Sequence, residues 1–381
     1  MTRTLFSPEH EQFRDVARRF LETELLPHHA QWEKDKVVPR EIWLKAGAMG
    51  LLCPNMPEEY GGAGGDYLYN VVVIEELSRL GLTGPGFMVH SEMCAPYILD
   101  YASEEVKREW LPKMVTGEAI GAIGMTEPGA GSDLKSIRMK AERDGDHYVL
   151  NGQKVYISNG QNADIVMTVC KTDPGKGAKG VSLILVPTDT PGFERGRNLE
   201  KLGLKAQDTS ELFYSDVRVP LGNLVGQEGA GFSMLMTKLS QERLTQAIRS
   251  AAVCEQVLAD TVAYVKGRKA FDQTLSDFQN TQFVLAQLDA EITSQRLFVD
   301  HCIALHLKGE LQPAMAAKLK MLGSELHCKT VDQCLQFYGG YGYMLEYPIA
   351  RAYIDARIVK IAGGAIEVMK QIIWRDLEKR F

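Results

Sequence analysis

The chain of 381 residues lacks three features that would point to a partner or a compartment. It has no block of basic residues, and 43 lysines and arginines against 49 acidic residues give a net charge of −6, which argues against nucleic-acid binding. No apolar run approaches the roughly 20 residues of a membrane-spanning helix. The opening stretch, MTRTLFSPEHEQFRD, carries acids and no signal-peptide core. These absences predict a cytoplasmic protein without a membrane span or a nucleic-acid partner.

Paired cysteines are also missing. The seven cysteines, at positions 53, 94, 170, 254, 302, 328 and 334, are scattered and form no CxxC motif. Isolated thiols of this kind are typical of a reducing compartment rather than of a disulfide framework or a zinc site. We therefore expect neither a disulfide nor a bound metal.

The segments that are present change character twice along the chain. Residues 1–120 predict a helical domain, whose first helix begins at Ser7-Pro8-Glu9. Residues 121–227 predict a small antiparallel β domain, because β-rich runs alternate with Gly, Pro and Asp turns and not with long helices. Residues 228–381 predict a helical bundle. The fold class is therefore α+β, with three domains in the order helical, β and helical.

Two local patterns sharpen this division. Asn151-Gly152 lies between two β-rich runs and predicts a hairpin turn. In the last domain, helical periodicity predicts long helices at about 229–266, 277–308 and 313–338.

Three glycine-rich stretches are candidate sites. GMTEPGAGSD (124–133) lacks the Gly-Lys-[Ser/Thr] ending of a phosphate loop, and QFYGGYGYMLEYP (336–348) is typical of a packed turn. KIAGGAIEVMK (360–370) places Gly363-Gly364 at the start of the last helix. That pair is either a plain turn or a backbone segment that a ligand approaches closely, since main-chain N–H groups at a helix start can receive negative charge.

One acidic residue interrupts an apolar helix face. At about 100° per residue, the first long helix of the bundle aligns six side chains in one narrow stripe: Leu235, Leu239, Glu242, Gln246, Val253 and Val257. Burial would raise the pKa of the Glu242 carboxyl group and make it a better proton acceptor near neutral pH. The alternative is a buried structural salt bridge to Arg243 or Arg249. The periodicity leaves both interpretations open.

Two longer segments resemble the signature segments of the acyl-CoA dehydrogenase family. They are GMTEPGAGSDLKS (124–136) and QFYGGYGYMLEYPIARAYID (336–355). The order of the three domains agrees, and the likeness covers essentially the whole chain. The segments 196–213, 239–244 and 342–357 resemble the long-chain members of the family in particular.

The resemblance implies that the protein oxidises an acyl-CoA with a long or branched acyl chain to the trans-2-enoyl-CoA. A base removes the α-proton while the β-hydrogen leaves as hydride to N5 of bound FAD. Most members of the family carry the base where this chain has Gly363, whereas the long-chain and isovaleryl types carry it on the helix that holds SQER. The resemblance and the periodicity thus agree on Glu242 as the catalytic base.

The resemblance also assigns binding residues, one position at a time. For FAD these are Met125, Thr126, Ser132, Tyr156, Ile157, Ser158, Arg268, Phe271, Gln279, Gln336, Gly339, Gly340 and Glu367. For the acyl-CoA they are Ser132, Ser240, Gln241, Arg243, Gly363 and Gly364. Arg268 matches an arginine that holds FAD across a subunit boundary, and Gln336, Gly339 and Gly340 match the loop that receives the adenine end of a neighbour's FAD. Such sharing implies an oligomer, by family a homotetramer.

The remaining expectations concern partners and alternatives. The family implies an electron-transferring flavoprotein as the electron acceptor. Where long-chain members usually have Thr and Asn, this chain has Ala365 and Ile366, which removes two polar contacts to FAD. The alternatives are an acyl-CoA oxidase or another flavoenzyme of the same fold, or a non-catalytic acyl-CoA-binding relative.

Overall fold

The computed structural model describes residues 3–381, and its first block of structure is helical. The helices are α1 (Pro8–Phe20), α2 (Leu26–Asp35), α3 (Arg40–Ala48), α4 (Tyr67–Arg79), α5 (Ala95–Tyr101) and α6 (Glu104–Thr116). The predicted helix start is confirmed, because Ser7 is the N-cap and Pro8 the first helical residue. The predicted domain boundaries stay a prediction, and residues 1 and 2 of the first domain lie outside the described chain.

Two turns in this block are widened into π-helix, at Leu21–Leu25 and Val89–Cys94. Each precedes a helix with proline at its second position, Pro27 in α2 and Pro96 in α5. Proline has no N–H, and its ring clashes with the carbonyl four residues earlier, so the preceding turn opens. The second π segment continues directly into the helix that carries Tyr97.

The middle block is a sheet with strands β1 (Gly121–Gly124), β2 (Lys140–Asp144), β3 (His147–Ser158), β4 (Ile165–Lys171), β5 (Val181–Pro187), β6 (Phe193–Asn198), β7 (Thr209–Pro220) and β8 (Leu224–Val225). Their order is β6-β7-β3-β2-β4-β5-β8, with β1 paired to β4. The predicted β domain is confirmed, and most of its strand pairs are antiparallel. Strand β4 pairs in parallel with both β1 and β2.

The predicted hairpin turn at Asn151-Gly152 was wrong. Strand β3 runs straight through these residues, and the turn that joins β2 to β3 contains Gly145, with Asp144 paired to His147. Gly152 instead lies at a register shift between β3 and β7. The Asn151 amide donates to Asp216 on β7 at 2.9 Å, so the Asn-Gly pair marks an irregularity within a strand.

The last block is the helical bundle, with α7 (Gly231–Gly267), α8 (Gln279–Leu307), α9 (Pro313–Tyr338), α10 (Pro348–Ala356) and α11 (Ile366–Arg380). A two-stranded ribbon of β9 (Lys269–Ala270) and β10 (Gln273–Thr274) separates α7 from α8. The three predicted long helices are confirmed to within two residues at each end. Within residues 3–381, no helix is both long and apolar enough to cross a membrane.

A buried ion cluster joins the two helical blocks. Glu75 on α4 is fully buried and accepts hydrogen bonds from Arg3, Arg14 and Arg296, at 2.8, 3.0 and 2.8 Å. Arg14 lies on α1 and Arg296 on α8, so a single carboxylate ties together three helices that are far apart in sequence. Because three arginines from separate segments bind one fully buried carboxylate, the cluster fixes the position of α4, which packs against α7.

Candidate active site

Glu242 lies in the first third of α7 and is buried, with 4% of its surface exposed. The Tyr97 hydroxyl group, which α5 presents from the first helical block, donates to Glu242 Oε1 at 3.0 Å. Burial raises the pKa of Glu242 to about 7, although the Tyr97 hydrogen bond and the charge of Arg243 lower it. A carboxyl group with this pKa can accept a proton near neutral pH.

The alternative interpretation of Glu242, a structural salt bridge, was wrong for the described part of the chain. Neither Arg243 nor Arg249 forms a salt bridge with it. Arg243 is itself buried, and its Nε has no hydrogen-bond partner among residues 3–381. An unpaired buried N–H is uncommon, so it marks Arg243 as a group that can bind an acceptor such as a carbonyl or an anion.

The Gly363-Gly364 pair lies next to the stripe that holds Glu242. Both glycines have left-handed backbone angles, with φ of 67° and 99°. A Cβ at position 363 would meet Gln246, one helical turn from Glu242, at 3.5 Å, whereas a Cβ at 364 would clash with Met369 at 2.7 Å. The Gly364 carbonyl accepts a hydrogen bond from the buried Lys320 Nζ at 2.6 Å. The glycine pair therefore forms a loop that Lys320 fixes in position, next to the helix face that carries Glu242.

Helix α11 starts directly after this loop. Its N-cap is Ala365, which provides no side-chain hydrogen bond to the first turn. The first N–H groups of α11 therefore stay available to an acceptor, as at any uncapped helix start. Glu367 is exposed in this first turn.

The loop 124–133 and the end of β3 lie side by side. Val155 N–H donates to the Thr126 carbonyl at 3.0 Å. Strand β3 shifts register against β7 between Lys154 and Ile157, and Tyr156, inside this irregularity, has φ of 62° and a ring that is 68% exposed. A non-glycine residue in this strained conformation with an exposed aromatic ring is typical of a ligand site.

This region fits an isoalloxazine ring. Thr126 and Ser158 are half-buried hydroxyl residues and Ser132 is exposed, while Ile157 is buried and offers only its backbone. Met125 packs against the core cluster that contains Leu235 in the first turns of α7. The hydrogen bond between Val155 and Thr126 thus brings the predicted flavin residues of the loop 124–133 next to those at the end of β3.

Six of the other predicted FAD residues lie at the opposite end of α7. Arg268 follows the last residue of α7, which at a rise of about 1.5 Å per residue is roughly 40 Å from Glu242 along the helix axis. Its guanidinium lies 5.7 Å from the Tyr341 ring centroid. Phe271 is 89% exposed, and Gln279, Gln336, Gly339 and Gly340 are exposed as well. A cavity of about 510 Å³ lies here, lined in part by Gln336 and Asn280.

The two predicted substrate residues that precede Arg243 differ in environment. Ser240 is buried, and the Gln241 amide donates to Glu92 Oε2 at 3.4 Å. Glu92 is a second buried carboxyl group, whose pKa burial raises to about 7. Glu92 lies on the π segment that continues into α5. Glu92 is therefore bonded from this segment to Gln241 on α7, as Glu242 on α7 is bonded to Tyr97 on α5.

Sequence reasoning missed three residues of this site. Tyr97 carries no local signal, because its partner Glu242 is 145 positions away. Lys320 is fully buried in α9, and a lysine within an apolar helical stretch is the signal that could have identified it. Lys154 is likewise buried, in β3 beside the loop 124–133, and the signal for it is a lysine with apolar residues on both sides of it in the same strand.

Comparison with known proteins decides the family. Models of the acyl-CoA dehydrogenase N-terminal, middle and C-terminal domains match residues 7–118, 122–217 and 229–378. The long-chain specific acyl-CoA dehydrogenase of Sus scrofa is 48% identical over 98% of this chain and 88% of its own length. The chain belongs to the acyl-CoA dehydrogenase family.

Two solved structures extend this match. An acyl-CoA dehydrogenase from Geobacillus kaustophilus is 47% identical with a TM-score of 0.97, covering 99% of this chain and 100% of that one. A glutaryl-CoA dehydrogenase from Mycobacterium smegmatis in complex with FADH2 is 30% identical with a TM-score of 0.91, covering 98% and 95%. The predicted acyl-CoA dehydrogenase fold, oxidoreductase activity and FAD dependence are confirmed. The roles of individual residues stay predictions.

Proposed function

We propose that this acyl-CoA dehydrogenase uses Glu242 to remove the α-proton of a long-chain acyl-CoA. The observation that carries the proposal is a buried carboxyl group with one hydrogen bond, from Tyr97 at 3.0 Å, and no salt bridge among residues 3–381. Burial raises the pKa of this group to about 7, so about half of it is ionised at neutral pH and the ionised form is a stronger base than an ordinary carboxylate. The hydrogen bond to Oε1 leaves Oε2 free to receive the proton.

The developing enolate needs hydrogen-bond donors, because the α-proton of a thioester is only weakly acidic. The main chain at Gly363-Gly364 and the uncapped first turn of α11 supply N–H groups beside Glu242. Lys320 fixes this loop through the Gly364 carbonyl at 2.6 Å. We assign Arg243, whose buried Nε has no partner among residues 3–381, to the CoA side of the thioester, together with Ser132, Ser240 and Gln241.

FAD, when bound, supplies the acceptor for the hydride that leaves the β-carbon. Met125, Thr126, Ser132 and Tyr156–Ser158 would hold its ring at the Glu242 end of α7, with Glu367 near the start of α11. The exposed Tyr156 ring can cover one face of the flavin and exclude water from it.

The second set of FAD residues supports an oligomer. Arg268, Phe271, Gln279, Gln336, Gly339 and Gly340 are too far along α7 to touch a flavin bound beside Glu242 in the same chain. Their exposed positions and the cavity of about 510 Å³ suit the adenine end of FAD from a second copy. A homotetramer is the arrangement that the family resemblance favours.

Chain length, electron acceptor and compartment complete the proposal. The likeness to a long-chain specific relative and the vacant base position at Gly363 favour long or branched acyl chains. An electron-transferring flavoprotein as the acceptor and a cytoplasmic location stay predictions from the sequence. The Sus scrofa relative is named as a mitochondrial protein.

We expect the purified protein to be yellow and to lose its colour anaerobically when an acyl-CoA is added. A series of straight-chain thioesters from butyryl-CoA to stearoyl-CoA, together with isobutyryl-CoA and isovaleryl-CoA, should give the highest kcat/KM for a long straight chain. Flavin absorbance measures the reductive step. Rapid peroxide formation under air would favour the oxidase alternative, and acyl-CoA binding without bleaching would identify a non-catalytic relative.

The pH dependence tests the base separately. Glu242 must be ionised to accept a proton, so kcat/KM should rise as pH increases to about 7 and level off above it. The Tyr97 hydrogen bond lowers the pKa of Glu242, and Tyr97→Phe should therefore move the midpoint up by about one pH unit. Tyr101→Phe, which alters the neighbouring ring, should leave the midpoint in place. A Tyr97→Phe profile identical to that of the wild type would contradict this assignment.

A further inference from the structure

Lys154 lies in β3, beside the loop 124–133, and only 1% of its surface is exposed. Its Nζ donates to the Met125 carbonyl at 3.1 Å and to Glu127 Oε1 at 2.9 Å. Both acceptors belong to the loop 124–133, whereas Lys154 belongs to β3. One side chain thus connects the two segments that are predicted to contact the flavin.

Glu127 extends this connection to a third segment. Its carboxylate accepts the Arg138 N–H at 2.6 Å and the Met139 N–H at 3.0 Å, just before β2. Glu127 is also buried, with 8% of its surface exposed. Buried ion pairs bring little net stability, because the loss of hydration offsets the attraction. A benefit other than stability is therefore the better explanation for a lysine in this position.

The neighbouring backbone is shaped around the Lys154 stem. A Cβ at Gly124 would lie 3.3 Å from Lys154 Cγ and 3.3 Å from Val166 Cγ1, so a larger residue would push the lysine stem aside by a few tenths of an ångström or press on Val166. Directly after Lys154, strand β3 enters the irregularity that turns the Tyr156 ring outward. Lys154 is thus the last fixed point before the strained residue.

We propose that the Lys154–Glu127 pair is the positioning element of the flavin site. It holds Met125 and Thr126 against the end of β3, so that the loop and the Tyr156 ring are already in place before FAD binds. Neither residue is assigned a contact with FAD; both act through the backbone that they hold. This inference rests on the proposed assignment of residues 125–158 to the flavin ring.

The test compares Lys154→Met and Lys154→Arg with the wild type, as full-length apoprotein titrated with FAD. Loss of a charged hydrogen bond to the loop should weaken FAD binding by about 10- to 100-fold in Lys154→Met. The absorption band of the bound flavin should also lose its fine structure, because the ring is no longer held in one environment. Lys154→Arg keeps a cation with several donors and should restore part of the affinity.

Two further variants separate positioning from stability. Gly124→Ala displaces the lysine stem without removing a charge and should cause a smaller loss of FAD affinity. Glu75→Gln breaks a buried ion cluster that touches none of the flavin segments, so it should lower stability and leave the affinity of the folded protein unchanged. Wild-type affinity and spectrum in both Lys154→Met and Gly124→Ala would overturn this proposal while leaving the proposed function intact. A wild-type protein that binds no FAD would overturn both.

Discussion

Glu242→Gln is expected to lower kcat for acyl-CoA oxidation by about 10²–10⁴-fold, the range that a positioned general base contributes. The amide has the shape of the carboxyl group, and its oxygen can still accept the Tyr97 hydrogen bond, but it cannot take the α-proton. Folding and FAD binding should therefore be retained. Stopped-flow bleaching of the flavin with an excess of a long-chain acyl-CoA measures the loss directly.

Glu92→Gln is the matched control. Glu92 is as deeply buried as Glu242, and burial likewise raises its pKa to about 7. Its partners are the amides of Asn70, at 2.6 Å, and Gln241, at 3.4 Å. Because it has no assigned part in proton removal, Glu92→Gln should keep most of the turnover. Full activity in Glu242→Gln, or a loss of activity in Glu92→Gln alone, would show that Glu242 is not the base.

A gain-of-function variant at Gly363 tests whether a base at this second position can replace Glu242. In the Glu242→Gln background, Gly363→Glu should recover part of the activity, since this is where most of the family carries the base. A Cβ there meets only Gln246, at 3.5 Å, but the left-handed φ of 67° costs roughly 1–2 kcal/mol for a residue other than glycine. Recovery should therefore be partial. Gly364→Glu, at a φ of 99° and with its Cβ pressing on Met369, should recover none.

The second large effect concerns stability. Glu75→Gln should lower the free energy of unfolding by about 3–5 kcal/mol at neutral pH, the usual result of removing one partner from a buried ion pair. Arg3, Arg14 and Arg296 would then face an uncharged amide, and each would keep one other carboxylate partner, Asp300, Glu76 and Glu255 respectively. Chemical denaturation followed by circular dichroism measures the difference. Asp144→Asn, which breaks the exposed pair with Arg218, should change stability by no more than about 0.5 kcal/mol.

The pH dependence of this difference follows from the Glu75 pKa. Burial alone would raise the pKa, but Arg296, Arg3 and Arg14 outweigh it and hold the value at about 2. A carboxyl group whose pKa is lower in the folded state stabilises the protein above its unfolded-state pKa of about 4.3. The gap between wild type and Glu75→Gln should therefore narrow as pH falls from about 4.3 towards 2. A gap independent of pH in this window would contradict the assignment.

Some parts of this molecule could be predicted from local pattern alone. The three long helices of the bundle were predictable because their apolar residues repeat over seven or more turns. Glu242 was predictable for the same reason, since periodicity identifies a buried position whatever residue occupies it. The family resemblance then supplied the chemistry that periodicity cannot.

Other parts depend on contacts between distant segments. Asn151-Gly152 has the composition of a hairpin turn, yet pairing with β7 keeps the strand extended there. The parallel pairing of β4 with β1 and β2 follows from topology, which short-range patterns do not encode. Tyr97 reaches Glu242 only through the packing of α5 against α7, two helices that are far apart in sequence. Each failure arises where tertiary packing overrides a local preference.

Helix α7 carries Glu242 in its first third, and the exposed Arg268 follows its last residue. On the proposed assignment, α7 contributes to one FAD site at each end, so FAD binding and subunit association are thermodynamically linked. FAD then stabilises the oligomer, and dilution of the protein releases FAD. By mass action, the amount of active enzyme then increases more steeply than the amount of polypeptide synthesised.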